Sequence, residues 1–133
     1  MCIRDSPYLE KSTQNLLTAE LLVKNNYYPA TVNRAYYSCL QFIFHVLIEK
    51  LNHNFEEINE APRIGTHAQA QYLIGLALAK LDEKEYKWFQ AKFPEIKEQR
   101  IKADYHTDSI SQEIAHDSIN RANAIITTLK KLR

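Results

Sequence analysis

Glycine is nearly missing from this chain, with two in 133 residues, and proline is scarce at four. So few turn-formers leave little material for the many reversals of a sandwich or barrel, which argues against a sheet-rich fold. Cysteine is as rare. Cys2 and Cys39 make no disulfide framework, and Cys39, inside an apolar run, reads as a small core residue in a reducing compartment. No apolar stretch is long and charge-free enough to span a bilayer, and no secretory leader is recognisable. The expected location is therefore cytoplasmic, with no membrane partner. Charge of one sign is also lacking: 17 Lys and Arg stand against 16 Asp and Glu, a formal net charge of +1. Any contact with nucleic acid must then come from a local basic patch rather than from the field of the whole protein. There is no H-E-x-x-H, no paired-cysteine spacing, no G-x-S-x-G and no Gly-rich phosphate loop. His45, His53, His67, His106 and His116 are dispersed along the chain. No metal centre and no cofactor are expected.

What the chain does have is apolar periodicity, strongest over residues 27–51, YYPATVNRAYYSCLQFIFHVLIEKL. At 3.6 residues per turn three adjacent rows are apolar. They are Ala35, Cys39, Phe42 and Val46; Tyr36, Leu40, Ile43 and Leu47; and Tyr37, Phe44, Ile48 and Leu51. One narrow row, Arg34, Ser38, Gln41 and His45, is polar. A helix apolar around most of its circumference must be covered on several sides, so this is expected to be the central helix of a bundle. Pro29 suits its first turn. The polar row is read either as a solvent-facing stripe or, through Arg34, as one wall of a phosphate-binding cleft.

The other segments are arranged around it. The first six residues, MCIRDS, resemble the translation of a transposon-end sequencing adapter. They are set aside as non-native, leaving residues 7–133 as a single helical domain. Leu9, Leu16, Ala19, Leu22 and Val23 mark a first helix that ends at Asn25-Asn26, and the short connection makes it an antiparallel neighbour of the central one. After Leu51 the periodicity fails, and Pro62 and Gly65 mark a long loop. Thr66 with Gln69, and Asp82 with Glu85, have the form of capping boxes opening two further helices. The second of these carries Tyr86, Trp88, Phe89 and Phe93, candidates for the core or for an interface. Pro94 predicts a kink or a brief break, with helix resuming over 95–105. Ser111 is an N-cap for the last helix, whose inner face reads Ala115, Ile119, Ala122, Ile125 or Ile126, Leu129 and Leu132. The fold class is all-α: an antiparallel bundle of about five helices.

One short segment stands out chemically, Arg100-Ile-Lys-Ala-Asp104-Tyr105-His106. Arg100 and Asp104 are four apart and share a helix face, which by itself is an ordinary surface ion pair. Tyr36 and Tyr37 read as core aromatics whose hydroxyls reach a partner at the core's edge. His67 reads as an exposed residue of a first turn.

Taken together, NRAYYSCLQF, the GTH at 65–67, QRIKADY at 99–105 and SISQEIAHDSINRANAII resemble the HEPN domain family. The likeness runs from Leu9 to Leu132 and is greatest to small stand-alone members with an R-x-x-x-D-Y segment. It implies a HEPN-like bundle that works as a homodimer, with a cleft built from two chains. Several branches are metal-independent endoribonucleases of toxin–antitoxin or defence systems, often paired with a nucleotidyltransferase antitoxin. For this chain the resemblance implies that Arg100 holds the scissile phosphate of an RNA and His106 moves a proton. Arg34, Asp104 and Tyr105 would contact the substrate, and the product would be a 2′,3′-cyclic phosphate. The chain departs from the ribonuclease pattern in two places. Asp108 stands where the toxin branch carries a tyrosine, and Asp104-Tyr105 marks a branch in which the catalytic histidine is often absent. Six helical steps also set His106 roughly 120° around the axis from Arg100, so the two converge only if the helix ends near Tyr105 or a partner chain supplies one of them. The alternative stays open: a non-catalytic HEPN module that binds a nucleotidyltransferase partner or a nucleotide, or a purely structural helical dimer.

Overall fold

The computed structural model describes residues 6–59, 65–106 and 109–132. Residues 1–5 of the six adapter-like ones, Cys2 among them, and Pro62, Asp108 and Arg133 lie outside the described residues. Six α-helices are present among them: α1 (Pro7–Lys24), α2 (Tyr28–His45), α3 (Phe55–Asn59), α4 (Thr66–Leu81), α5 (Glu83–Tyr105) and α6 (Gln112–Leu129). No described residue is in a strand, so the all-α bundle holds. No described helix is long and apolar enough to cross a membrane.

The central role of α2 follows from its side chains. Val32, Ala35, Tyr36, Cys39, Leu40, Phe42, Ile43 and Phe44 are all buried, and the helix packs against α1, α4, α5 and α6. It begins after a tight reversal in which Asn26 takes φ 65°, a left-handed conformation that asparagine tolerates. The continuous helix read over 27–51 is not one α-helix. It stays α-helical to His45 and widens into a π-helical turn, Val46–Lys50, closed by Leu51 N–H donating to Val46 O at 2.9 Å. The wider turn keeps Val46 and Leu47 both in the core while Glu49 and Lys50 face water.

Three sequence expectations need correcting. The polar row of α2 does not face solvent. Ser38 is fully buried and His45 nearly so, because small residues on α1 let the two helices approach. Ser12 Oγ donates to Ser38 O at 2.6 Å, and Ser6 Oγ pairs with His45 Nδ1 at 2.6 Å. Of the row, only Arg34 is exposed. The stretch read wholly as loop contains α3, opened by a reciprocal box: Glu57 N–H donates to Asn54 Oδ1 at 2.8 Å and Asn54 N–H to Glu57 Oε1 at 3.3 Å. Ile58 then enters the core. The Thr66–Gln69 box does not form. Gly65, with φ 82°, is the N-cap residue of α4, and the Thr66 hydroxyl donates instead to Asn59 Oδ1 at 3.0 Å.

The later caps behave as read, with one exception. Asp82 Oδ1 accepts from Lys84 N–H at 3.0 Å, and Ser111 Oγ from Ile114 N–H at 3.1 Å. Glu85 does not complete its box; its carboxylate meets Lys131 Nζ at 2.5 Å, tying α5 to the end of α6. Helix α5 runs through Pro94 without a break. Phe89, Phe93 and Ile96 on either side of it are fully buried, and the two phenyl rings stack at 5.2 Å, so packing outweighs the lost backbone bond. Phe89 therefore belongs to the core and not to an exposed interface.

Candidate functional site

Helices α2, α4 and α5 meet around one arginine. Arg100 projects from α5 with only 11% of its side chain exposed. Its guanidinium carbon lies 4.9 Å from the centre of the Tyr36 ring and 5.9 Å from that of Tyr37. Both tyrosines come from α2, adjacent in sequence and edge to face at 5.2 Å. Aromatic faces attract a cation and hold its plane, so the guanidinium is oriented before any ligand arrives. One turn further along α5, Asp104 Oδ2 accepts from Arg100 Nη1 at 3.4 Å. That carboxylate also accepts from Asn33 Nδ2 of α2, at 3.1 and 3.2 Å to its two oxygens. Arg100 Nε is buried without a hydrogen-bond partner among the described residues.

His67, in the first turn of α4, completes the group. Its Nδ1 lies 3.1 Å from the Tyr36 hydroxyl, and its ring packs 5.9 Å from each of the two tyrosine rings. It is half-buried rather than exposed. The electrostatics are those of crowded positive charge. Burial, then Arg100 and Lys97, push the His67 pKa below the ordinary histidine value, which favours the neutral imidazole. Burial and Arg100 likewise lower Lys97, one turn before Arg100 on α5. Burial raises the Tyr36 hydroxyl to about 12, with the Arg100 guanidinium partly opposing the rise. Groups that disfavour one another's positive charge would each gain from an anion placed among them.

The residues singled out in the sequence are distributed as follows. Arg34, Asp104 and Tyr105 line one open depression, together with Asn33, where the start of α2 meets the end of α5. Arg34 is held there by Asn15 Oδ1, which accepts from its Nη1 at 3.3 Å, and Tyr105 is 74% exposed. Arg100 joins this set through Asp104. His106 is the residue that ends α5, extended and exposed, with its backbone N–H on Lys102 O. Its side chain makes no hydrogen bond or ion pair with Arg100 within the chain.

Sequence reasoning passed over Asn33 and Lys97, and it read His67 as an exposed first-turn residue, whereas the ring is half-buried against Tyr36 and Tyr37. Lys97 was readable as a second cation three residues before Arg100 on the same face. Asn33 and His67 gave no such signal, because each depends on a pairing of distant helices. No group of three or more His, Cys, Asp or Glu side chains able to hold a metal occurs among the described residues. What the arrangement offers is a preset arginine fork, a second cation, a neutral histidine and an exposed aromatic, the parts needed to hold a phosphodiester.

A family model described as HEPN domain matches residues 6–132. No curated protein matches the chain significantly.

Proposed function

The chain belongs to the HEPN domain family, and from that premise we propose that it acts on RNA as a metal-independent endoribonuclease of a prokaryotic toxin–antitoxin or defence pair. In this reading it works as a homodimer and has a nucleotidyltransferase as its partner. Arg100 holds the scissile phosphate, Arg34 takes a neighbouring phosphate along the depression, and Tyr105 offers a face on which a base can stack. His106, exposed at the end of α5, serves the site of a second copy of the chain in this reading. The observation that carries the reading is that Arg100 and His67 lie against the same pair of rings, Tyr36 and Tyr37, where α2, α4 and α5 meet.

The test is incubation of the purified protein with labelled RNA beside Arg100→Ala. Cleavage by the parent that disappears in the variant supports the reading; an active parent whose variant cuts equally well refutes the site. A second reading, a non-catalytic module that binds a nucleotide or its nucleotidyltransferase partner, is favoured by Asp104, which already engages Arg100 at 3.4 Å. A dimeric parent that cuts no RNA but binds nucleotide through Arg100 would establish it. Sedimentation equilibrium checks the dimer; a monomer at high micromolar concentration removes it.

A further inference from the structure

The resemblance assigns the proton-moving role to His106, yet within one chain it is a different histidine that faces the Arg100 site. We propose that His67 is the residue that moves the proton in the RNA cleavage reaction, an inference that rests on the ribonuclease reading above. His67 and Arg100 lie against the same pair of rings, Tyr36 and Tyr37. The Tyr36 oxygen lies 3.1 Å from His67 Nδ1 and anchors the ring; in the tautomer this role requires, Nδ1–H donates to that oxygen and Nε2 carries the lone pair that meets the ligand. This is the layout of a proton-transfer residue: one nitrogen anchored by a buried neighbour, the other turned to the reacting group. The second, independent observation is the fully buried position of Tyr36, which prevents the anchor from swinging. Among the described residues His106 has no comparable anchor and hydrogen-bonds only through its backbone.

The step balances without a cofactor. Nε2 of neutral His67 takes the proton from a ribose 2′-OH, and the 2′ oxygen attacks the phosphorus held by Arg100. The bond from phosphorus to the 5′ oxygen breaks, giving a 2′,3′-cyclic phosphate and a 5′ hydroxyl. The proton taken by His67 goes back to that departing oxygen. Among the described residues the titratable and charged groups facing His67 are Tyr36 and Tyr37 from α2 and Lys97 and Arg100 from α5. Both cations disfavour the imidazolium, so the base form persists into mildly acidic solution. The cleavage rate should fall only as the pH drops through a pKa below the ordinary histidine value of about 6.5.

The experiment is a pH–rate profile of RNA cleavage by the full-length parent, His67→Gln, His67→Ala and His106→Ala, with thermal melts of each. Glutamine keeps a polar contact for the Tyr36 hydroxyl but cannot titrate, so it separates chemistry from folding. Expected is a loss on the order of 10²–10⁴-fold for a folded His67→Gln, with the acidic limb gone. A folded His67→Gln that cuts at the parental rate overturns the inference and leaves the ribonuclease reading standing. So does an acidic limb that vanishes in His106→Ala but persists in His67→Gln. A parent that cuts no RNA removes both.

Discussion

Helix α2 presents two unlike sides to the rest of the molecule. Toward α1 and α6 its contacts are mainly apolar. Phe42 lies near Leu9, Leu16 and Ile126, Ser12 Oγ donates to Ser38 O, and Cys39 Sγ lies 3.8 Å from Ala122 O, its thiol pushed up to about 12 by complete burial. Toward α4 and α5 the same helix offers Asn33, Tyr36 and Tyr37 to Arg100, His67 and Asp104. The first side is stabilised chiefly by apolar burial. The second carries a cation, a half-buried imidazole and a guanidinium nitrogen with no hydrogen-bond partner among the described residues. Buried groups of that kind cost stability unless a partner compensates them.

Mutation should separate the two sides. Truncation of the apolar rows should be the most damaging to folding: Phe42→Ala is expected to cost roughly 3–5 kcal/mol and Leu40→Ala roughly 2–5 kcal/mol, read from denaturant midpoints. Near-parental midpoints for both would erase the distinction. Arg100→Ala should cost less, about 1–2 kcal/mol, through lost stacking on Tyr36 and a lost pair with Asp104. It should nevertheless abolish RNA cleavage. Arg100→Lys should restore much of the stability and little of the activity, since an ammonium cannot reproduce the bidentate fork. If lysine restores cleavage, charge alone is what the site needs.

Asp104→Asn sharpens the contrast further. Asp104 competes with any incoming anion for Arg100, and its side chain is 24% exposed. Its removal should leave stability within about 0.5 kcal/mol while tightening phosphate binding several-fold, measured by calorimetry with inorganic phosphate. Weaker binding would mean that Asp104 chiefly orients the guanidinium. The smallest effect concerns pH. Burial, with Arg100 and Lys97, holds the folded His67 pKa below its unfolded value. Protons therefore bind the unfolded chain more readily, and stability is lost as the pH falls below about 6.5. His67→Gln should flatten that part of the curve of melting temperature against pH. An unchanged slope would show that His67 is not held neutral by its surroundings.

Reading the sequence went furthest where the signal was local. The apolar rows of α2, the caps at Asp82 and Ser111, and the i, i+4 pair of Arg100 and Asp104 all depend on neighbours within a turn or two. The box at Asn54 and Glu57 was equally local and went unread because Pro62 and Gly65 drew the whole stretch into a loop. Ser38 and His45 were misplaced for a different reason. Polarity predicts exposure only until other segments supply partners: Ser12 of α1 for Ser38, and Ser6, the last of the adapter-like residues, for His45.

The sequence by itself determined the all-α class, the central place of α2 and the face shared by Arg100 and Asp104, because helical periodicity repeats every few residues. Only the tertiary structure decided that Asn33 would close on Asp104 across 71 residues and Tyr36 on His67 across 31. Those contacts depend on how α4 and α5 settle against α2. That docking is set by the volumes of Phe89, Phe93, Ile96 and their neighbours in the core, and no spacing along one helix encodes it.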